Sequence, residues 1–296
     1  MTRTQLNLFE TKYDVIDQSV HPQFWAYHAG MADGDGSFQI RRKSNSIYYV
    51  LSLIDKNIVK ELADLYGVNI CKPKNKKSNH KQKYIVNLCG SNAKHFYNKV
   101  YPYLIEKRDQ VEKQAKMAGL KLESKTTNIN YKLCWLAGYF DAEGSVSMQK
   151  MYDKKTKNYY FKFRLRFTST DLKVNRYVRR LLNTIFNRNG KKPMANLVKK
   201  TKWKKRPYNE KDCWDVSVSQ AAKVHLFSKV FLPTIKCKRK KEKFKRIIDY
   251  AKFCARMKWT FGCWNFKTNN KIRQRWLEAD EMEQAIRVSG FYADVS

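Results

Sequence analysis

Two stretches of the chain are apolar and rich in small residues on every side, and each gives way at once to alternation. Residues 24–34 and 132–142 mix aromatics with alanine and glycine and carry few charges, which predicts short buried helices. Gly36 and Gly144 follow them and read as helix-terminal glycines. In 37–43, Ser37, Gln39, Arg41 and Lys43 share one face, while Phe38 and Ile40 share the other. In 160–168, Lys162, Arg164 and Arg166 oppose Phe161, Phe163, Leu165 and Phe167. Both patterns predict half-buried strands with one apolar and one polar or cationic face. Weaker strand patterns occupy 46–54, 68–73, 83–89 and 213–219, and helical patterns occupy 57–66, 171–186, 220–228, 238–253 and 271–287. The order is αββαββα in each half, an α+β arrangement with helices covering one side of an antiparallel sheet.

The halves answer each other. Gly30 aligns with Gly138, Asp33 with Asp141, Asp35 with Glu143, and Gly36-Ser37 with Gly144-Ser145, at an offset of 108 residues. That period is far longer than a solenoid repeat and points to a duplicated domain. A second echo follows: Pro102 and Pro233 each precede a lysine five residues on, Lys107 and Lys238, and then a basic helical stretch. The polar run Glu123–Asn130 reads as a linker. The expected organisation is a first half at 1–120, a linker at 121–131, a second half at 132–255 and a helical C-terminal extension at 256–296. That extension carries Trp259, Trp264 and Trp276 and is read as a packing helix.

Composition narrows the function. The net charge of +35 is too large for an ordinary enzyme surface and calls for an anionic partner, nucleic acid first. A hydrophobic content of 43% excludes a disordered basic tail. No run approaches the roughly 20 apolar residues of a membrane helix, so no membrane partner is expected. Seven cysteines without a C-x-x-C pair argue against a disulfide framework or a zinc ribbon, and five histidines show no metal-ligand spacing. The N-terminal segment has no apolar core and carries Glu10, Asp14 and Asp17, unlike a secretory or transit peptide.

Gly30 and Gly34, like Gly138 and Ala142, lie four residues apart on one helix face, where small side chains let two backbones approach closely. Two such helices side by side would bring Asp35 and Glu143 together at their ends. Paired carboxylates repel unless a cation is present, and Mg²⁺, an oxygen-loving ion, suits them. Asp33 and Asp141 read instead as capping or helix-packing groups.

The two motifs, His-Ala-Gly-Met-Ala-Asp-Gly-Asp-Gly-Ser-Phe (28–38) and Leu-Ala-Gly-Tyr-Phe-Asp-Ala-Glu-Gly-Ser-Val (136–146), resemble those of the LAGLIDADG homing endonuclease family, two-motif monomeric branch. The second is the closer match. In the first, His28 replaces the usual leucine and Gly34 the usual alanine. The resemblance implies two pseudo-symmetric halves forming a DNA-binding saddle of antiparallel sheets, with the two motif helices packed at the interface. It implies that Asp35 and Glu143 hold the catalytic metal, with the carbonyls of Gly34 and Ala142 as further ligands. It places Lys107 and Lys238 near the scissile phosphates, and aligns Ser52 and Arg166 with another active-site polar position. Mg²⁺ is the implied cofactor, with Mn²⁺ substituting and Ca²⁺ supporting binding without cleavage.

Under this reading Ser37, Gln39, Arg41, Lys43 and Asn45 face one half of the DNA, and Ser145, Ser147, Gln149, Lys162 and Arg164 the other, in the major groove. A strand of about eight residues spans about 26 Å. That is roughly 8 base pairs per half and a double-stranded target of roughly 18–24 base pairs. The halves differ, so the target need not be palindromic. The basic run 199–206 reads as an extended loop along the DNA backbone, and Lys236–Arg246 as a basic helix start. The expected activity is metal-dependent phosphodiester hydrolysis of both strands by a monomer, promoting mobility of its intron. The rival expectations are an RNA-binding intron maturase, a non-cleaving DNA-binding regulator and a basic structural protein. The resemblance points to an organelle, mitochondrion or chloroplast; a prokaryotic cytoplasm fits the N-terminus equally.

Overall fold

A computed structural model describes residues 12–41, 43–73, 81–123, 129–153, 158–186, 195–199 and 212–256. The helix expected at 271–287, the C-terminal extension and most of the basic run 199–206 lie outside the described residues. The chain divides into two compact units, Met1–Ala142 and Glu143–Ser296. No helix among the described residues is long and apolar enough to cross a membrane.

The first unit runs α1 (Lys12–Ser19), α2 (Pro22–Gly34), β1 (Gly36–Arg41), β2 (Ser46–Leu53), α3 (Lys56–Tyr66), β3 (Ile70–Cys71), β4 (Tyr84–Cys89), α4 (Gly90–Val100), a 3₁₀ turn at Tyr101–Tyr103, α5 (Arg108–Met117) and most of α6 (Ile129–Glu143). The strands form one antiparallel sheet in the order β1-β2-β4-β3. Phe38, Tyr49, Val86 and Leu88 are buried, and Phe96 of α4 packs against Phe38 and Tyr49. Trp25 to Asp33 of α2 are all buried, so this helix is the core of the unit rather than a covering layer. Its start follows from local chemistry: Pro22 stands in the first turn and the His21 ring accepts the Gln23 N–H. Helix α1 was not signalled by the sequence; it buries only Ile16.

Two expectations are corrected here. Gly36 is not a left-handed helix terminus. Positive φ occurs at Gly67, Gly90 and Gly119 among the described glycines, and the α2 cap is Asp35 in ordinary helical conformation. Gly36 is needed for space, because a Cβ there would lie 2.6 Å from both the Ala32 Cα and the Tyr49 hydroxyl. The strand expected at 37–43 ends at Arg41. Lys43 and Asn45 belong to the hairpin turn, where Asn45 adopts φ 49°.

The second unit runs β5 (Gly144–Asp153), β6 (Asn158–Ser169), α7 (Leu172–Phe186), β7 (Asn196–Lys199), β8 (Trp214–Val218), α8 (Ala221–Phe231) and α9 (Lys238–Arg256). Its antiparallel sheet has the order β5-β6-β8-β7, the same topology as the first. Val146, Phe163, Leu165, Phe167, Val216 and Val218 are buried. Phe227 of α8 packs against Phe167 and against Phe244 of α9.

Candidate active site and nucleic-acid face

The duplicated motifs pair off within the first unit. Helices α2 and α6 touch backbone to backbone at their glycines. A Cβ on Gly30 would stand 1.9 Å from the Trp135 carbonyl oxygen, and one on Gly138 would stand 1.9 Å from that of Tyr27. The polar contacts are reciprocal too. The Trp135 indole donates to Asp33 Oδ2 at 2.8 Å, and the Tyr27 hydroxyl donates to Asp141 Oδ2 at 2.6 Å. Tyr27 and Trp135 stand at the same offset as the motif residues, which is the signal that could have revealed them. Gly30 and Gly138 thus perform the close-approach role that their spacing suggested.

Asp33 holds more than the neighbouring helix. Its Oδ2 also accepts the Ile105 N–H at 2.8 Å, and its Oδ1 accepts those of Glu106 at 3.0 Å and Lys107 at 2.8 Å. Four N–H groups saturate one carboxylate. Burial nevertheless pushes its pKa up to about 6, against the lowering effect of the backbone bonds from Ile105 and Lys107 and the side-chain bond from Trp135. Asp33 therefore fastens the segment carrying Lys107 to the end of α2.

Lys107 completes that junction. Its Nζ donates to the carbonyls of Ala32 (2.7 Å), Gly34 (2.9 Å) and Gly36 (2.6 Å). All three ammonium protons thus meet backbone oxygens at the C-terminal end of α2, where helix carbonyls lack internal partners and the dipole favours a cation. Asp35, the cap of α2, is exposed beside them. Glu143 is the last residue of α6 and half-buried, directly after Ala142. Lys238 begins α9 and is exposed.

The local chemistry fits a hard divalent cation. Asp35 offers carboxylate oxygens, and the Gly34 carbonyl already accepts a positive group. No group of three or more His, Cys, Asp or Glu residues is arranged to hold a metal among the described residues. A donor set of one carboxylate and backbone carbonyls would leave coordination positions for phosphate and water.

The polar sheet faces follow the expected alternation. In the first unit Ser37 pairs with Val50, Gln39 with Tyr48 and Arg41 with Ser46, opposite the buried Phe38, Tyr49 and Leu51. Ser52 lies on the same face of β2, and the Arg41 guanidinium sits 5.6 Å from the centre of the Tyr48 ring. In the second unit the expected residues pair with one another: Ser145 with Arg166, Ser147 with Arg164, Gln149 with Lys162. Arg166 also meets Asp215 of β8 at 3.6 Å, and the Thr168 hydroxyl donates to the same carboxylate at 2.6 Å. Asp215 was not anticipated.

Residues 136–206 match the family model described as LAGLIDADG endonuclease. No curated protein matches the chain in sequence. Among solved structures, the chain is similar to the LAGLIDADG meganuclease I-AabMI bound to uncleaved DNA, at 12% identity and a TM-score of 0.53 over 90% of this chain and 98% of that one. It is similar to the LAGLIDADG meganuclease I-CpaMI bound to uncleaved DNA, at 11% identity and a TM-score of 0.52 over 89% and 99%. The I-LtrWI LAGLIDADG homing endonuclease bound to target DNA follows at 13% identity and a TM-score of 0.51 over 88% and 97%. At these identities the likeness is one of fold.

Proposed function

We propose that the chain is a two-motif member of the LAGLIDADG endonuclease family and a site-specific endonuclease hydrolysing both strands of a long, non-palindromic DNA duplex; the family-model match over residues 136–206 and the likeness in fold to LAGLIDADG meganucleases support this reading. The observation that carries this reading is the reciprocal pairing of α2 and α6, two helices locked by Gly30, Gly138, Trp135 and Tyr27 and each ending in an acid. Duplicated helices kept in close backbone contact serve to hold their ends, and the ends carry Asp35 and Glu143. Intron mobility is the biological role we assign to the cut.

Asp35 and Glu143 would hold a divalent metal, with Gly34 and Ala142 adding backbone oxygens. When bound, such an ion lowers the pKa of a water and offsets charge on a phosphate. Lys107 keeps the Gly34 carbonyl and the start of β1 in place. Lys238, exposed at the start of α9, is the second lysine that the proposal places near a scissile phosphate. The polar faces of the two sheets carry different residues, so the two half-sites differ in sequence.

The test is selection from a partly randomised duplex library. Wild-type protein with Mg²⁺ is expected to cut one long asymmetric site, and with Ca²⁺ to bind it uncut. Asp35→Asn and Glu143→Gln are each expected to lose cleavage by at least about a thousandfold while keeping affinity within about tenfold. Cleavage retained by either variant sinks the assignment of these acids. Failure to enrich any duplex, with retention of structured RNA instead, sinks the endonuclease reading in favour of the maturase.

A further inference from the structure

Strand β1 lies at the edge of its sheet, with β2 on one side only. An edge strand leaves backbone groups unpaired and is easily displaced. Here one such group is covered in an unusual way. The Phe38 carbonyl accepts two side-chain amides, from Gln110 at 2.9 Å and Gln114 at 3.0 Å. These glutamines are four apart on α5, so they project from one helix face and fill both lone pairs of one oxygen. Gln114 is itself held, because its Oε1 accepts from the Tyr97 hydroxyl at 2.9 Å. Tyr97 reaches α5 from α4 and also lies 3.3 Å from the carbonyls of Gln39 and Tyr48.

Phe38 stands between Ser37 and Gln39 on the opposite, polar face. Those two side chains are joined: Gln39 Nε2 donates to Ser37 Oγ at 2.7 Å. The bond uses one amide proton and fixes the rotation of the amide. With that bond made through the proton remote from Oε1, Gln39 keeps one N–H and the Oε1 side by side, the pair that matches N7 and N6 of adenine in the major groove.

We propose that Gln110 and Gln114 are positioning residues for base recognition: they fix the Phe38 carbonyl from the outer edge of the sheet, so that the joined Ser37–Gln39 pair presents an adenine-reading edge to the target. The inference rests on the endonuclease reading. A loose edge strand would still meet the phosphate backbone, but its side chains would no longer be held in register with a base pair.

The experiment measures binding with Ca²⁺ to the selected target and to a panel of its single-base-pair variants. Gln39→Ala locates the position read by Gln39, where wild-type protein is expected to prefer adenine. At that position, Gln110→Leu/Gln114→Leu is expected to reduce the preference by about tenfold. Preferences lost in Gln149→Ala, on the second unit, are expected to persist. Gln110→Lys, which keeps a donor, is expected to restore part of the preference when combined with Gln114→Leu. If the double variant does not fold, the exposed single substitution Gln110→Leu is read in the same panel. Preference kept at the Gln39 position, equal loss at the Gln149 position, or a base other than adenine there would overturn the proposal. A wild-type protein that selects no duplex fails at the first step, which identifies the endonuclease reading as the one at fault.

Discussion

Single residues decide whether the two motif helices can meet. At Gly30 and Gly138 the obstacle to any side chain is a backbone oxygen at 1.9 Å, which cannot turn aside as a flexible side chain could. Gly30→Ala and Gly138→Ala are each expected to cost more than about 3 kcal/mol, measured by denaturant unfolding, because the helices must separate. Gly67 offers the contrast. Its φ is 63° and nothing lies within 4 Å of a Cβ there, so Gly67→Ala should cost only the backbone strain, roughly 1 kcal/mol. Asp33 gives a pH signature of its own. Desolvation raises its folded pKa from 3.8 to about 6, so the folded state binds the proton more tightly than the unfolded chain. Its stabilising contribution is complete below about pH 4 and is lost as pH rises through 6, by up to about 3 kcal/mol. Asn at this position cannot titrate, and its NH₂ group would face N–H donors. Asp33→Asn should therefore be less stable throughout, but the gap to wild type should narrow between pH 4.5 and pH 7. A gap that widens over that range would contradict the assigned direction.

At the scale of elements, the junction of α2 with β1 is the most heavily fastened part of the first unit. Lys107→Met would leave the Ala32, Gly34 and Gly36 carbonyls without their shared donor. It should lower the melting temperature by several degrees as well as the cleavage rate. Lys238→Met, at an exposed helix start, should slow single-turnover cleavage more than it weakens target binding. Loss of affinity equal to the loss of rate would make Lys238 a phosphate contact only. The elements themselves were largely legible. Small residues marked α2 and α6, alternation marked β1 and β6, and the repeat placed one acid at each helix end. What lay hidden depended on distant parts of the chain. The Lys107 ammonium and its Gly36 partner are 71 residues apart, and no local pattern announces that contact. The early end of β1 at Arg41 comes from a turn that needs Asn45 at positive φ, a requirement that simple alternation does not register. Helix α1 escaped because it has one buried residue and so no clear apolar face. The Phe38 clamp escaped because glutamines on a polar helix read as solvated until their acceptor is known.

For the whole molecule the governing quantity is charge, and its distribution between the two sheets predicts how binding responds to salt. The net charge of +35 ensures strong attraction to any polyanion. The polar face of the first sheet nevertheless has Arg41 as its strand cation among the described residues, beside neutral Ser37, Gln39 and Ser52. The corresponding face of the second sheet carries Lys162, Arg164 and Arg166, the last partly offset by Asp215. Each phosphate neutralised by a cation contributes about −0.9 to the slope of log K against log salt. Replacing Lys162 and Arg164 together with alanine should therefore reduce the magnitude of that slope by up to about 2, and Arg41→Ala by up to about 1. Gln39→Ala should leave the slope unchanged while altering base preference, because a neutral side chain releases no counterion. Asp215→Asn should steepen the slope by freeing Arg166 from its carboxylate. Equilibrium binding titrations from about 50 to 200 mM salt would resolve these differences. An unchanged slope after loss of both Lys162 and Arg164 would mean that the cations of the second sheet face do not contact phosphates. The electrostatic contribution would then have to come from the helices and the basic runs outside the sheets.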